Sequence, residues 1–145
     1  MNSSDFQALA RLRISDAEAL ASTGRNWSGC YYMAGYAVEC AIKACIAKQT
    51  LAEEWPPPFE KVKELYTHNL ERLLKHKEFP NGDTLTSLLA VEKQKNTAFS
   101  GYWQTVKDWS EKSRYEKYTQ QEATDLLNAI TDPKNGVLRW LQQYW

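Results

Sequence analysis

From Trp27 to Gln49 the chain runs without a proline, and one residue type dominates one side of it. At about 100° per residue, Ala34, Ala37, Val38, Ala41, Ala44 and Cys45 fall on a single helical face. Small side chains in such a row let a second helix approach closely, so the spacing predicts a helix over 27–49 at the centre of a bundle. Gly and Pro number 6 and 5 in 145 residues. That is under the roughly 12% of average proteins, and it argues against a turn-rich β sandwich. The expected fold is all-α, one bundle of four to five main helices with short extra helices, spanning residues 1–145.

Flanking segments read the same way. Ser4-Asp5-Phe6-Gln7 fits a capping box, and Phe6, Leu9, Ala10, Ile14, Ala17, Leu20 and Ala21 recur at helical spacing up to Gly24, a C-terminal stop. A helix is expected from about 5 to 23. Leu51 to Tyr66 contains Pro56-Pro57-Pro58, which reads as a stiff extended connector. Thr67 or Asn69 caps a short helix through Leu70, Leu73 and Leu74. Asn81-Gly82 marks a turn, with Asp83 capping a helix that carries Leu85, Leu88, Leu89 and Val91. Asn96 to Tyr118 suggests one amphipathic segment. Thr119-Gln120-Gln121-Glu122 is a second capping box, opening a helix through Ala123, Leu126, Leu127 and Ile130. Asp132-Pro133 reads as cap and first position of a last helix, bearing Val137, Leu138, Trp140, Leu141 and Tyr144.

Charge and composition exclude several classes. Eighteen basic residues balance eighteen acidic ones, so any contact with nucleic acid must be local rather than driven by net charge. No apolar run approaches the ~18 residues of a membrane helix, and the first residues lack a signal-peptide pattern; a cytoplasmic protein with no membrane contact is expected. Cys30, Cys40 and Cys45 are an odd set without a C-x-x-C pair, and the histidines are only His68 and His76. Neither a disulfide framework nor a metal site follows, so the cysteines are expected in the core and no cofactor is implied. Six Trp and eight Tyr are many for a small bundle and suggest an interface between two copies.

Chemistry-bearing residues are few. Tyr32, Tyr36, Glu39 and Lys43 share the side of the 27–49 helix opposite its small face. Glu39 precedes Lys43 in the favourable i,i+4 order, a pair expected to lie in solvent unless the stripe lines a groove or a dimer contact. His68 stands just before a predicted helix start, where it either accepts a proton or helps cap the helix. From Trp103 to Tyr118, Lys107, Lys112, Arg114 and Lys117 alternate with Trp103, Trp109, Tyr115 and Tyr118, a pattern able to grip phosphate and stack a base. Asp108, Glu111 and Glu116 dilute that charge. No Walker loop, G-x-S-x-G elbow or H-E-x-x-H is present.

Three blocks together resemble the HEPN family. They are Trp27 to Ala44 with its Gly35-Tyr36-Ala37-Val38-Glu39-Cys40-Ala41-Ile42-Lys43 core, Thr67-His68-Asn69-Leu70 followed by Leu73-Leu74, and Trp109-Ser110-Glu111-Lys112-Ser113-Arg114-Tyr115 with Tyr118-Thr119. The resemblance implies an α bundle that pairs as a homodimer. It also implies a place among metal-independent RNases of toxin–antitoxin and defence systems, nucleotide or RNA binders, or partners of small nucleotidyltransferases. The family's RNases carry Arg-x4-6-His, whereas Arg72 and His76 here are separated by three residues. The leading expectation is therefore a non-catalytic module binding a nucleotide, RNA or a protein partner. By resemblance its site uses Glu39, Lys43, His68 and Arg114, with Tyr36, Trp109 and Tyr115 as neighbours. The alternatives are an RNase in which His68 takes the 2′-hydroxyl proton and Arg114 stabilises the phosphate, and a purely structural adaptor subunit.

Overall fold

The computed structural model describes residues 1–49, 63, 65–76 and 79–145. Among them are seven α-helices and no strand element. The helices are α1 (Ser3–Ser22), α2 (Trp27–Gln49), α3 (Leu70–Leu74), α4 (Leu85–Lys95), α5 (Thr97–Val106), α6 (Gln120–Thr131) and α7 (Val137–Leu141), with a 3-10 helix, Glu111–Tyr115, between α5 and α6. Five long helices and two short ones make the expected all-α bundle. The triple-proline connector lies outside the described residues.

The helix over 27–49 has the predicted bounds, and its small face is the centre of the molecule. Ala34, Ala37, Val38, Ala41, Ala44 and Cys45 are all fully buried, and α1, α3, α6, α7 and the 3-10 helix all pack on α2. The α1–α2 hairpin is antiparallel. Ser3 Oγ donates to the carbonyl of Ala44 near one end (2.9 Å), and Leu20 lies against Gly29 near the other. The turn between them closes at Gly24, whose φ of +71° suits glycine and whose N–H donates to the Ala21 carbonyl. No helix of the described residues is long and apolar enough to cross a membrane.

Several local expectations are corrected. The first capping box is Asn2 with Asp5, each side chain taking the other's backbone N–H at 3.0 and 2.8 Å. The chain is extended at Asn2, so Ser4 is already inside the helix. Thr84, not Asp83, caps α4, with Ser87 reciprocating. Val91 on that helix is exposed rather than core. The 96–118 segment breaks after Val106, because Trp109 turns inward and Ser110 is extended to cap the 3-10 helix. Asp132 does not start the last helix. Its carboxylate accepts the N–H groups of Lys134 and Asn135, holding it below its usual carboxylate range, and α7 begins only after Gly136. The box at Thr119 and Glu122 stands as predicted.

Aromatic abundance serves the interior. Trp103, Trp109, Trp140 and Phe99 are buried, with Phe99, Trp140 and Tyr144 ring-packed in series. Three of the tryptophans are thus core residues, while among the described residues no tyrosine is fully buried and Tyr66 and Tyr115 are exposed.

Two outcomes follow from this core. Ala41→Leu adds volume where none is free and should cost about 1–3 kcal/mol, read as a lowered urea midpoint with unchanged slope. The thiols of Cys30, Cys40 and Cys45 are free and buried. Burial pushes all three up, Cys40 to about 11 and Cys45 to about 12. Near pH 8 they remain thiols, so the native protein should not react with a disulfide reagent such as DTNB, and all three should react in denaturant.

Candidate anion-binding site

At the middle of α2 lies a carboxylate in the interior. Glu39 is 1% exposed, and burying such a group is costly unless it is paired and hydrogen-bonded. Two groups do this. Lys43, on the next turn, donates from Nζ to Oε1 at 2.8 Å. His68 brings Nδ1 to 3.0 Å from both carboxylate oxygens. The Glu39–Lys43 pair is therefore not the solvated surface pair that the i,i+4 spacing suggests, because the loop bearing His68 covers it.

That loop is held by its own short-range bonds. Thr67 Oγ1 accepts the Asn69 N–H, and Asn69 Oδ1 accepts the Arg72 N–H as the α3 cap. Asn69 thus caps α3, and His68 is left to face α2. A bond from Nδ1 to a carboxylate requires the proton on Nδ1, so in the neutral ring the lone pair lies on Nε2. Nε2 points the other way and meets Glu111 Oε2 at 3.2 Å.

Glu111 belongs to a strap, residues 109–118, clamped to α2 at both ends. At one end Trp109 packs into the notch of Gly35. A Cβ there would sit 2.1 Å from the indole ring, so only glycine admits it. The ring is 2% exposed, and its Nε1–H has no acceptor among the described residues. At the other end the Tyr118 N–H donates to Ser28 Oγ (2.9 Å), and the Tyr118 ring stacks on Tyr31 with centroids 3.6 Å apart. Between the clamps the 3-10 helix presents Glu111 and Arg114 on one side, and Arg114 Nη2 meets Glu111 Oε2 at 3.2 Å. The Arg114 guanidinium lies 6.0 Å from the Tyr32 ring and 5.4 Å from that of Tyr115.

The structure therefore joins Lys43, Glu39, His68, Glu111 and Arg114 in one continuous series, from interior to surface. Of the residues expected at a site, Glu39, Lys43, His68 and Arg114 converge, and Tyr115, 81% exposed, stands beside them. One other does not serve as expected. Trp109 is closed off by α2 and offers no face to a base; it positions the strap. Tyr36 stands one ring further from the cluster: it stacks on Tyr32, the tyrosine beneath Arg114, with centroids 6.1 Å apart, and carries Arg13 over its own ring at 5.9 Å. Arg72 is exposed and His76 half-buried, both around the end of α3. Glu111, read from sequence only as diluting positive charge, is the bridge between His68 and Arg114. A mid-helix glycine costs about 1 kcal/mol relative to alanine, so Gly35 was the sequence signal that something large approaches α2 there.

Among the described residues no group of three His, Cys, Asp or Glu side chains could hold a metal ion. Comparisons with protein-family models, with characterised proteins and with solved structures returned no match.

Glu39→Ala removes the partner of two groups at once and leaves Lys43, whose side chain is 13% exposed, facing an empty interior. Breaking a buried pair in this way should cost about 3 kcal/mol, read by chemical denaturation. Glu111→Ala, at an exposed pair, should cost under about 1 kcal/mol.

Proposed function

We propose that this chain is a non-catalytic, HEPN-like helical module whose His68–Arg114 cluster binds the phosphate of a nucleotide or of RNA. The observation that carries this reading is the single oxygen, Glu111 Oε2, held 3.2 Å from both His68 Nε2 and Arg114 Nη2. With the His68 ring protonated on both nitrogens, its Nε2 and the Arg114 guanidinium present two donors to one anionic oxygen, a ready receptor for a phosphate oxygen. A guanidinium matches phosphate geometry, and the exposed ring of Tyr115 supplies a face on which a base can stack. The chain's zero formal charge limits such binding to a few phosphates, so its salt dependence is shallow, with log K falling by about 0.7 per contacted phosphate on a single strand.

A second reading, the metal-independent ribonuclease, is favoured by one feature. Glu39 orients His68 through Nδ1 so that Nε2 faces outward, the posture of a general base. The Lys43 ammonium weighs against it. A carboxylate already matched by an ammonium 2.8 Å away has less charge left to support an imidazolium formed by proton abstraction. Binding therefore fits the cluster better than proton transfer does.

Arg114→Ala and His68→Ala should each weaken binding of a short single-stranded RNA or of adenosine monophosphate by about tenfold or more, the worth of a charged hydrogen bond. Arg72→Ala should leave it unchanged, and the wild-type protein should leave the RNA uncut. RNA cleavage abolished by His68→Ala would instead establish the ribonuclease. Binding indifferent to both Arg114 and His68 would leave the structural adaptor.

A further inference from the structure

We propose that the Glu111 carboxylate occupies the ligand's own seat, and that the group which replaces it is a terminal phosphomonoester rather than an internal phosphodiester. This rests on the phosphate-binding reading above and specifies its substrate class.

The cluster has an inner and an outer half of different character. Glu39 is buried and held at 2.8 Å by Lys43 and 3.0 Å by His68. Glu111 is held only at 3.2 Å on each side, longer than the 2.7–2.9 Å usual for charge-assisted bonds. The side chains of His68, Glu111 and Arg114 are 41%, 42% and 46% exposed. Pairs so exposed contribute little and exchange readily. Arg114 is also tied independently of that carboxylate, because its Nε donates to the backbone carbonyl of Glu111 at 3.3 Å. The Glu111 side chain can therefore swing out while the guanidinium stays in place.

Charge selects what enters. Lys43 offsets Glu39, Arg114 offsets Glu111, and a His68 ring that donates from both nitrogens carries one further positive charge. Exchanging Glu111 for a phosphodiester trades one negative charge for another. A phosphomonoester, whose second pKa is about 6, brings nearly two charges at pH 7.5 and three terminal oxygens. Those oxygens can accept from His68 Nε2 and from both ends of the Arg114 fork, where Glu111 offers both donors one oxygen. A diester has two free oxygens and brings a second ester substituent into the same space.

The experiment compares adenosine 5′-monophosphate with adenosine 3′,5′-cyclic monophosphate, which share base and sugar and differ in phosphate charge. Both are titrated calorimetrically at pH 7.5 into the wild-type protein, Glu111→Gln, Glu116→Gln and Arg114→Ala. The monoester should bind the wild type at least about fivefold tighter than the cyclic diester, the scale of one added unit charge at a solvated site. Glu111→Gln should tighten both ligands about threefold to tenfold, because the same competitor is removed. Glu116→Gln makes the same charge change outside the cluster and should shift neither by more than about twofold. Equal wild-type affinity for the two ligands would overturn the monoester assignment. A Glu111→Gln effect absent, or matched by Glu116→Gln, would overturn the seat assigned to Glu111. If monoester binding is lost in Arg114→Ala but ignores Glu111→Gln, the phosphate reading stands and this inference falls. If no variant binds either ligand, both fall.

Discussion

A carboxylate on the inner stretch of the central helix dictates much of what surrounds it. Glu39 lies at a position where its neighbours on α2, from Ala37 to Ile42, are all buried, so it cannot reach water by turning aside. Desolvating an ion costs several kcal/mol even after the protein relaxes, and that cost must be met by partners. Lys43 comes at no topological expense because it is one turn away on the same helix. His68 does not: it belongs to a different part of the chain, and bringing Nδ1 to 3.0 Å fixes the loop ahead of α3 across α2. The burial of Leu70, Leu73 and Leu74 immediately after it follows from that placement, since a helix starting at the cap Asn69 has α2 directly beneath it.

The second constraint is steric. Along most of its length α2 offers alanine-sized knobs, which suffice for α1 and α6. A tryptophan ring needs more room, and Gly35 supplies it by having no side chain. Seating Trp109 there leaves an indole N–H with no acceptor among the described residues, a cost of about 1–3 kcal/mol that burying so large a ring offsets. The consequence reaches beyond packing. With Trp109 seated at Gly35 and Tyr118 tied to Ser28 and Tyr31, the strap runs antiparallel to α2. The register that results sets Arg114 over Tyr32 and Glu111 opposite His68.

Those two constraints explain what could be read in the sequence and what could not. The bounds of α2, the Gly24 stop, a cap at Thr67 or Asn69 and the Thr119–Glu122 box rest on residues close together in the chain, and local rules reach them. The first capping box was misread because Asn2 and Ser4 are both good caps, and only the path of the chain at Asn2 chooses between them. The buried state of Glu39 was not legible at all. An i,i+4 Glu–Lys pair looks the same in solvent and in the interior, and the cover comes from His68 and the 3-10 helix, far along the chain. Trp109 was misassigned for a related reason: alternation of aromatic and basic residues describes a strap with two sides, and the pattern does not say which side faces in. Inward Trp109 and outward Arg114 and Tyr115 emerge only once Gly35 is recognised as the receiving notch.

The separation of the cluster into a buried half and an exposed half also decides where the cost of binding falls. Ordering flexible side chains at a site normally consumes part of the interaction energy. Here the imidazole of His68 is already oriented by a carboxylate that folding has buried, and that ordering is complete before any ligand arrives. Arg114 is restrained by the Glu111 carbonyl and lies near the Tyr32 and Tyr115 rings, so its long side chain has little freedom left to lose. What must move is one exposed carboxylate. On the phosphate-binding reading proposed above, an arriving anion would meet donors already in position and a competitor held weakly, which suits reversible capture of a small phosphorylated ligand. A general base would need the opposite arrangement, with Glu39 dedicated to His68 alone and Nε2 uncovered. Lys43 on the inner side departs from that arrangement, because its ammonium already matches the carboxylate that would support the imidazolium.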